Sequence, residues 1–493
     1  MEASADPKPC DIERDGPQDP MLRPTVVQVV LIILSSLAMQ QFGIAYTWPN
    51  ALAGDLQTDS STLLGHQLSI TPVGLDLVGS LLFAGFSLGT LPASWLVARF
   101  GRRKCFIASV LPTFFGWAFT AFADKDIFIF IGRFVSGLGH VMMMQTSKIY
   151  VAEISNTSIR GMASTYLEMM RWMKLTGFLV VAAVAIKVPW YIIACAMAVL
   201  TLVYGGATLA VPESPNFLAV QGRYEEARRI LRRLRGPRAD VDAELTLLRL
   251  LNQRRDGASG FAAIFKWDVL KQMAALILLG TLRSMCGVET ITVHCTRMLL
   301  DTGVSLDHTL GTLVVNSAYV FGGLCLTQLV DRLGRRWSMV VSLTIVVAGN
   351  AVLGCYCYFF QVLPQPSLDI KLLSPLDDNT TVPYIAGVRA IGDVDRLFPL
   401  LCFLVVAFGV GLGIANVPLV LALEYFPTSI RAEGFGLCLT WMSACSVVML
   451  QLYSVLVDAL TITGLYWFFA LAAAAALVHT LCFIRETNKC NIG

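Results

Sequence analysis

Charged residues are scarce in this sequence of 493 residues, of which only 14% are Asp, Glu, Lys or Arg. A soluble protein carries about 25%, so the available polar residues cannot cover a surface that faces water. Because 56% of the residues are hydrophobic, most of the exterior has to face lipid. These proportions exclude a soluble multidomain protein and indicate an all-α protein that crosses a membrane many times.

The sequence also lacks any cluster of metal-binding or catalytic residues. The 13 cysteines are scattered, and the one close pair, Cys355 and Cys357, has neither zinc spacing nor a second pair. The five histidines are equally dispersed, and there is no Ser/His/Asp set or phosphate-binding glycine loop. We therefore expect no metal, no cofactor and no enzymatic activity. The net charge of +3 is too small to indicate a nucleic-acid partner.

Long apolar runs are abundant. An apolar helix of about 20 residues crosses the bilayer core, and twelve such spans are predicted. Six precede a long polar segment and six follow it, at 25–46, 74–97, 105–122, 127–149, 163–186 and 189–211, and at 274–299, 310–329, 338–360, 398–423, 435–457 and 465–483.

The basic residues orient these spans. If both termini are cytoplasmic, 26 of the 37 Lys and Arg lie on cytoplasmic tails and loops, five on outer loops and six within spans. Basic residues tend to stay on the cytoplasmic side, so this orientation is predicted. The expected location is the plasma membrane. The triplet that begins at Asn379 is a glycosylation signal on the long outer loop 361–397, whereas a second triplet at Asn156 lies inside and is predicted to stay unmodified.

The polar segments divide the chain further. Residues 1–23 carry six acidic and three basic side chains with four prolines, which predicts a disordered cytoplasmic tail. Two six-span halves follow, at 24–211 and 271–484, joined by a cytoplasmic linker at 212–270, and 485–493 form a second tail. In the linker, apolar residues at helical spacing underlie a predicted exposed basic face formed by Arg228, Arg229, Arg232, Arg233 and Arg235.

The two halves repeat each other. A Gly-Arg-Arg turn follows span 2 at 101–103, and the same turn follows span 8 at 334–336. Glu153 and Arg160 close span 4 with the same spacing as Glu424 and Arg431, which close span 10. Two repeated halves suggest rocking about a central site that opens to alternate sides, and a monomer is adequate for this. Transport of a small solute is the natural interpretation, and a non-transporting receptor is the alternative.

These motifs resemble the sugar porters of the major facilitator superfamily, in particular the insect trehalose and hexose facilitators. The resemblance runs from about residue 40 to 489 and rests on ordered motifs at family spacing: Ala45 to Pro49, Gly101 to Lys104, Gly132 and Arg133 with Gly137 and Gly139, Tyr150 to Ile154, Pro212 to Pro215, Asp331 to Arg336, Glu424 to Pro427 with Arg431, and Glu486 to Asn488. It implies the twelve-helix fold of that superfamily and facilitated transport of a sugar.

Charged side chains at the cytoplasmic ends of the spans are predicted to form a gating network. Arginine and carboxylate groups can pair when these ends touch and separate when they part. The alternative is that the arginines only follow the positive-inside rule, which would not require the carboxylates beside them. The first half also departs from the family pattern, because Ala98 stands where the family has an acidic residue. The predicted network comprises Arg99, Arg102, Arg103, Glu153, Arg160, Glu213, Asp331, Arg332, Arg335, Arg336, Glu424 and Arg431.

The predicted substrate site departs from the family pattern. Glutamine is replaced by Glu168 in span 5, and the amides of span 7 are replaced by Arg283-Ser284 and Glu289. Charges inside spans cost about 2.5–3.5 kcal/mol each, so they face the bundle interior and pair. They either select a polar or charged solute or form internal ion pairs. The predicted site consists of Glu168, Arg283, Ser284, Glu289, Tyr319, Asn416, Thr440 and Trp441.

Two further expectations concern mechanism. Proton-coupled relatives place a carboxylate in span 1, and none is present at 25–46, so facilitated diffusion is predicted, with Glu168 or Glu289 as the alternative proton site. In a continuous helix, Arg283 and Glu289 would lie about 120° apart around the axis. A direct bridge between them therefore requires the helix to break near Gly287.

Overall fold

The computed structural model describes residues 25–58, 61–154, 176–236, 241–255, 267–304, 306–360, 393–426 and 431–484. Within these ranges the regular structure is helical, apart from one isolated bridge between Ser61 and Gln67. The two tails, the glycosylation triplets at Asn379 and Asn156, Arg160 and Glu168 lie outside the described residues.

The helices of the first half and the linker are α1 (Val26–Thr47), α2 (Pro49–Thr58), α3 (Pro72–Phe100), α4 (Arg102–Ala121), α5 (Asp126–Ile154), α6 (176–184), α7 (Trp190–Thr208), α8 (Pro215–Val220), α9 (Tyr224–Arg235) and α10 (Val241–Arg255). Those of the second half are α11 (Trp267–Met285), α12 (Thr290–Val293), α13 (Cys295–Asp301), α14 (His308–Phe359), α15 (Asp393–Leu412), α16 (Val417–Glu424), α17 (Arg431–Gln451) and α18 (Tyr453–Phe483).

Eleven stretches of these helices are long and apolar enough to cross a membrane, and they match eleven of the twelve predicted spans one for one. The remaining prediction, 163–186, falls mostly on residues outside the described ranges, although its end at 176–184 is helical. The predicted loop 361–397 is too long at its end, because α15 already begins at Asp393.

Local sequence chemistry sets several helix boundaries. The Thr25 and Thr71 hydroxyls accept from the backbone N–H of Gln28 and Gly74, which satisfies an otherwise unpaired donor at the start of α1 and α3. Asp307 does the same at the start of α14, where its carboxylate accepts from two backbone N–H groups.

The duplication is visible in the backbone. Gly101, between α3 and α4, has φ +91°, and Gly334, which interrupts α14, has φ +86°. Both conformations favour glycine because a Cβ is strained there. A Cβ on Gly101 would also lie 2.5 Å from Glu213 Oε2. The turn glycines of the two repeated motifs therefore have the same structural role.

Paired glycines also set the helix crossings in each half. A Cβ on Gly85 would lie 2.2 Å from the Phe134 carbonyl, and one on Gly137 would lie 2.2 Å from the Leu82 carbonyl, so α3 and α5 cross backbone to backbone. The second half has the same crossing, because a Cβ on Gly322 would lie 2.2 Å from the Phe408 carbonyl and one on Gly411 would lie 2.2 Å from the Tyr319 carbonyl. Small residues permit such close approach between membrane helices.

The linker helices pack at one end of the bundle, which we call the linker end. In α9, Ala227, Leu231 and Leu234 are buried as the apolar spacing predicts. The prediction that Arg235 belongs to the exposed basic face is wrong. Its guanidinium is buried, pairs with Glu244 at 2.8 Å and donates to the Ile154 carbonyl at 2.6 Å. These partners attach the linker to the end of α5.

Candidate functional site

The helix of span 7 breaks where the predicted ion pair requires it to break. The helix α11 ends at Met285, Gly287 has φ +77°, and α12 begins only at Thr290. This break brings the Arg283 guanidinium onto the Glu289 carboxylate, with Nη1 donating to Oε1. Both side chains are buried, Glu289 to 3% exposure. Arg283 and Glu289 therefore neutralise each other within one short segment of span 7.

This pair leaves hydrogen-bonding atoms unused. The second guanidinium nitrogen of Arg283 donates to the Ala415 carbonyl at 3.3 Å, beside the break between α15 and α16. The Nε donor of Arg283 and the Oε2 acceptor of Glu289 are buried and have no partner among the described residues. Further unpartnered buried atoms are Thr290 Oγ1, Asn316 Nδ2 and Asn416 Nδ2. Unsatisfied buried polar groups are costly and mark places where a ligand or water is expected.

An aromatic stack crosses from one half to the other beside this pair. The Tyr46 ring stacks on Phe178 with centroids 5.1 Å apart, and Phe178 contacts Tyr319 of the second half at 5.7 Å. Both tyrosines lie near Arg283. The stack gives the region apolar ring faces next to a compensated pair of charges.

A small cavity lies between the halves. Its lining includes Thr47, Asn50, Thr296, Thr312 and Asn316, together with three alanines, a valine and Thr309. Its volume is about 10 Å³, which is enough for a single water molecule. The cavity is therefore closed around a space much smaller than a small-molecule ligand.

The predicted site residues are not all brought together. Ser284 is buried near Ser446, with the two hydroxyls 3.4 Å apart. Thr440 donates to the Gly436 carbonyl of its own helix. Trp441 is 45% exposed and its indole N–H donates to Thr281 of α11.

Among the described residues of the predicted gating network, one ion pair lies within the first half. Arg102 forms an ion pair with Glu153 at 2.5 Å, and Glu213 accepts from the backbone N–H of Arg102 and of Arg103. Arg336 donates to the Leu481 carbonyl inside the second half. Arg99 and Arg332 are exposed and Arg335 is partly buried, while the side chains of Asp331, Glu424 and Arg431 are outside the description.

Sequence reasoning missed three residues that join the halves at the end opposite the linker. The Asn50 side chain donates to the Thr292 carbonyl at 2.7 Å and accepts from the Thr296 N–H at 3.0 Å. Asp76 and Arg297 form an ion pair at 2.5 Å. A buried charge in each of two spans was a detectable signal for the second contact, because such charges have to pair.

Arg133 fixes the first half around these residues. Its guanidinium donates to the Ala45 and Val78 carbonyls at 2.8 and 2.9 Å and lies over the Trp48 ring. These bonds hold the junction between α1 and α2 against α3. The side chain thereby positions both Asn50 and Asp76.

Two repeated halves of membrane-spanning helices with a closed cavity between them are typical of a secondary transporter. The family model described as "Sugar (and other) transporter" matches residues 32–492, so the chain belongs to this family, the sugar porters of the major facilitator superfamily. It has that superfamily's fold and is not an enzyme.

Relatives and solved structures agree with this family. The chain is 22% identical over 449 residues to the "Facilitated trehalose transporter Tret1" of Bombyx mori, covering 91% of this chain and 81% of the relative. It is 26% identical over 427 residues to the "Solute carrier family 2, facilitated glucose transporter member 6" of Homo sapiens, covering 86% and 82%. The inward-open structure of the xylose transporter XylE from E. coli superposes with a TM-score of 0.70 at 16% identity, covering 94% of this chain and 97% of that one.

Proposed function

We propose that this protein carries a sugar across the membrane by facilitated, alternating-access transport. The observation that supports this best is the unused pair of atoms on the Arg283–Glu289 bridge. Arg283 Nε can only donate and ionised Glu289 Oε2 can only accept. Hydroxyl groups both accept and donate, so the hydroxyls of a sugar can supply a partner for each of these two atoms.

The charge balance favours a neutral solute over a charged one. Arg283 and Glu289 already neutralise each other, so a solute with a net charge would enter a buried site that offers it no counter-charge. Burial of an uncompensated charge is costly. Trehalose and glucose, named for two relatives, are neutral and rich in hydroxyl groups.

The surroundings suit such a solute. Threonine hydroxyls and the amides of Asn50 and Asn316 line the cavity between the halves, and sugar hydroxyls pair with neutral groups of this kind. The rings of Tyr46, Phe178 and Tyr319 supply an apolar face for the carbon skeleton. Because the cavity is closed, we propose that the halves part before the solute binds.

The remaining elements of the proposal concern setting and energetics. We propose that the linker end faces the cytoplasm at the plasma membrane, because 26 of the 37 basic residues then lie inside. Facilitated diffusion fits the helix α1, which carries no acidic residue. Domain limits at 24–211, 212–270 and 271–484 belong to the same proposal.

Uptake of labelled trehalose and glucose into liposomes that contain the purified protein tests this function. We expect saturable uptake that needs no proton gradient. Each of the variants Glu289→Gln and Arg283→Gln is expected to reduce this uptake. A double variant, Arg283→Gln with Glu289→Asn, replaces the bridge by the amides typical of the family and is expected to recover part of the uptake.

The matched control is Asp55→Asn, which removes a carboxylate that accepts from the Trp190 backbone N–H inside the first half. It is expected to leave the ranking of solutes unchanged. Uptake of anionic or cationic solutes in place of both sugars would contradict the proposal.

A further inference from the structure

A buried ion pair joins the two halves at the end opposite the linker. Asp76 lies in the first turns of α3 and is fully buried. Its Oδ1 accepts from Arg297 of α13 at 2.5 Å, and its Oδ2 accepts from the backbone N–H of Ser454 at the start of α18 at 2.9 Å. One carboxylate of the first half therefore binds two separate helices of the second half.

The second half holds the arginine in place. Arg297 donates to the Ser454 hydroxyl at 3.0 Å, and its guanidinium lies over the Tyr453 ring, 5.0 Å from the centroid. The Tyr453 hydroxyl in turn donates to Asp301 at 2.8 Å. The guanidinium is thus oriented before it meets Asp76.

Neighbouring polar contacts also cross between the halves. The Asn50 side chain links α2 to Thr292 and Thr296, and the Ser80 hydroxyl donates to Gln451 at 2.9 Å. These contacts lie beside the closed cavity, which Asn50 and Thr296 both line. The ion pair therefore closes the same end of the molecule through which the cavity would open.

Separation of the halves at this end has a definite electrostatic consequence. Asp76 and Arg297 are on different halves, so every opening separates this carboxylate from this guanidinium. Breaking a buried charge pair is strongly unfavourable unless water reaches both groups. By contrast, the pair Arg102–Glu153 at the linker end lies within one half and need not break.

We infer that Asp76, Arg297 and Ser454 form a latch that holds the end opposite the linker closed and that opens each time the central site is loaded from that end. This inference rests on the proposed alternating-access transport. It adds to that proposal the contacts that decide which end of the carrier is closed when no solute is bound. The latch makes closure at this end the more stable arrangement in the absence of solute.

Thiol labelling tests the latch without any measurement of transport. Thr47 lines the cavity and is buried, so Thr47→Cys places a thiol behind the closed end. A membrane-impermeant maleimide is added to intact cells, and labelling of the same variants with native Thr47 is subtracted. We expect Asp76→Asn and Arg297→Gln to raise the Thr47→Cys labelling rate by about tenfold, the factor that corresponds to about 1.4 kcal/mol.

Two further variants keep the test decisive if a lone buried charge prevents folding. The double variant Asp76→Asn with Arg297→Gln removes both charges, and Ser454→Ala removes only one acceptor of Arg297. We expect faster labelling in both, with the smaller increase for Ser454→Ala. The matched control, Asp55→Asn, removes a carboxylate whose partner, the Trp190 N–H, is on the same half, and the labelling rate is expected to stay unchanged.

Unchanged labelling in the double variant would overturn the latch. That result would leave the proposed sugar transport intact, because uptake is measured separately. Conversely, faster labelling in a protein that takes up no sugar would support the latch while contradicting the proposed function.

Discussion

The Arg283–Glu289 bridge is open to a double-mutant cycle. Removal of one partner from a buried ion pair costs about 3–5 kcal/mol, because the other charge is left uncompensated. After Glu289→Gln, the Arg283 guanidinium loses its negatively charged partner, and its 3.3 Å contact to the neutral Ala415 carbonyl remains. After Arg283→Gln, the Glu289 carboxylate loses the positively charged group that donates to its Oε1. We therefore expect each single variant to lower the unfolding temperature clearly.

The double variant, Arg283→Gln with Glu289→Gln, should unfold at a higher temperature than either single variant, because it leaves no lone charge. Contacting residues show coupling energies of about 0.5–3 kcal/mol. Buried free cysteines such as Cys286, Cys295 and Cys438 report unfolding in detergent through a thiol-reactive dye. Additive shifts, with the double variant least stable of all, would refute a direct bridge.

Two other predictions concern orientation and packing. Glycosidase is expected to shift the gel mobility of the protein and Asn379→Gln to abolish that shift, while Asn156→Gln preserves it; a glycan at Asn156 would invert the proposed orientation. Gly137→Ala is expected to destabilise the fold by about 1–3 kcal/mol through overpacking, because its Cβ would lie 2.2 Å from the Leu82 carbonyl. Gly206→Ala, with nothing within 4 Å of the new Cβ, should stabilise α7 by up to about 1 kcal/mol, and equal effects of both substitutions would argue against the glycine crossing.

Much of the fold follows from the sequence because its signals are local. Hydrophobic runs mark the spans. The repeated Gly-Arg-Arg turns predict two equivalent halves, and Gly101 and Gly334 have similar positive φ in these two turns. The geometry of a continuous helix even sets the condition under which Arg283 can reach Glu289. Only the structure reveals that the helix breaks at Gly287 and so allows this contact.

The contacts between the halves are harder to predict. Asp76 and Arg297 are 221 positions apart, and no periodicity relates them, so their pairing depends on the relative placement of the two halves. The burial of Arg235 has the same origin, because its partners Glu244 and Ile154 belong to another linker helix and to α5. Helical spacing within α9 carries no information about either partner.

Solute exchange in liposomes tests the central claim most directly. Purified protein is loaded with unlabelled trehalose or glucose, and the entry of the labelled sugar is followed with no proton gradient. The account predicts saturable exchange that Glu289→Gln impairs and that the Arg283→Gln, Glu289→Asn variant partly recovers. The account would be contradicted by the following result: no neutral polyhydroxyl solute exchanges faster than in protein-free liposomes, and a charged solute does exchange.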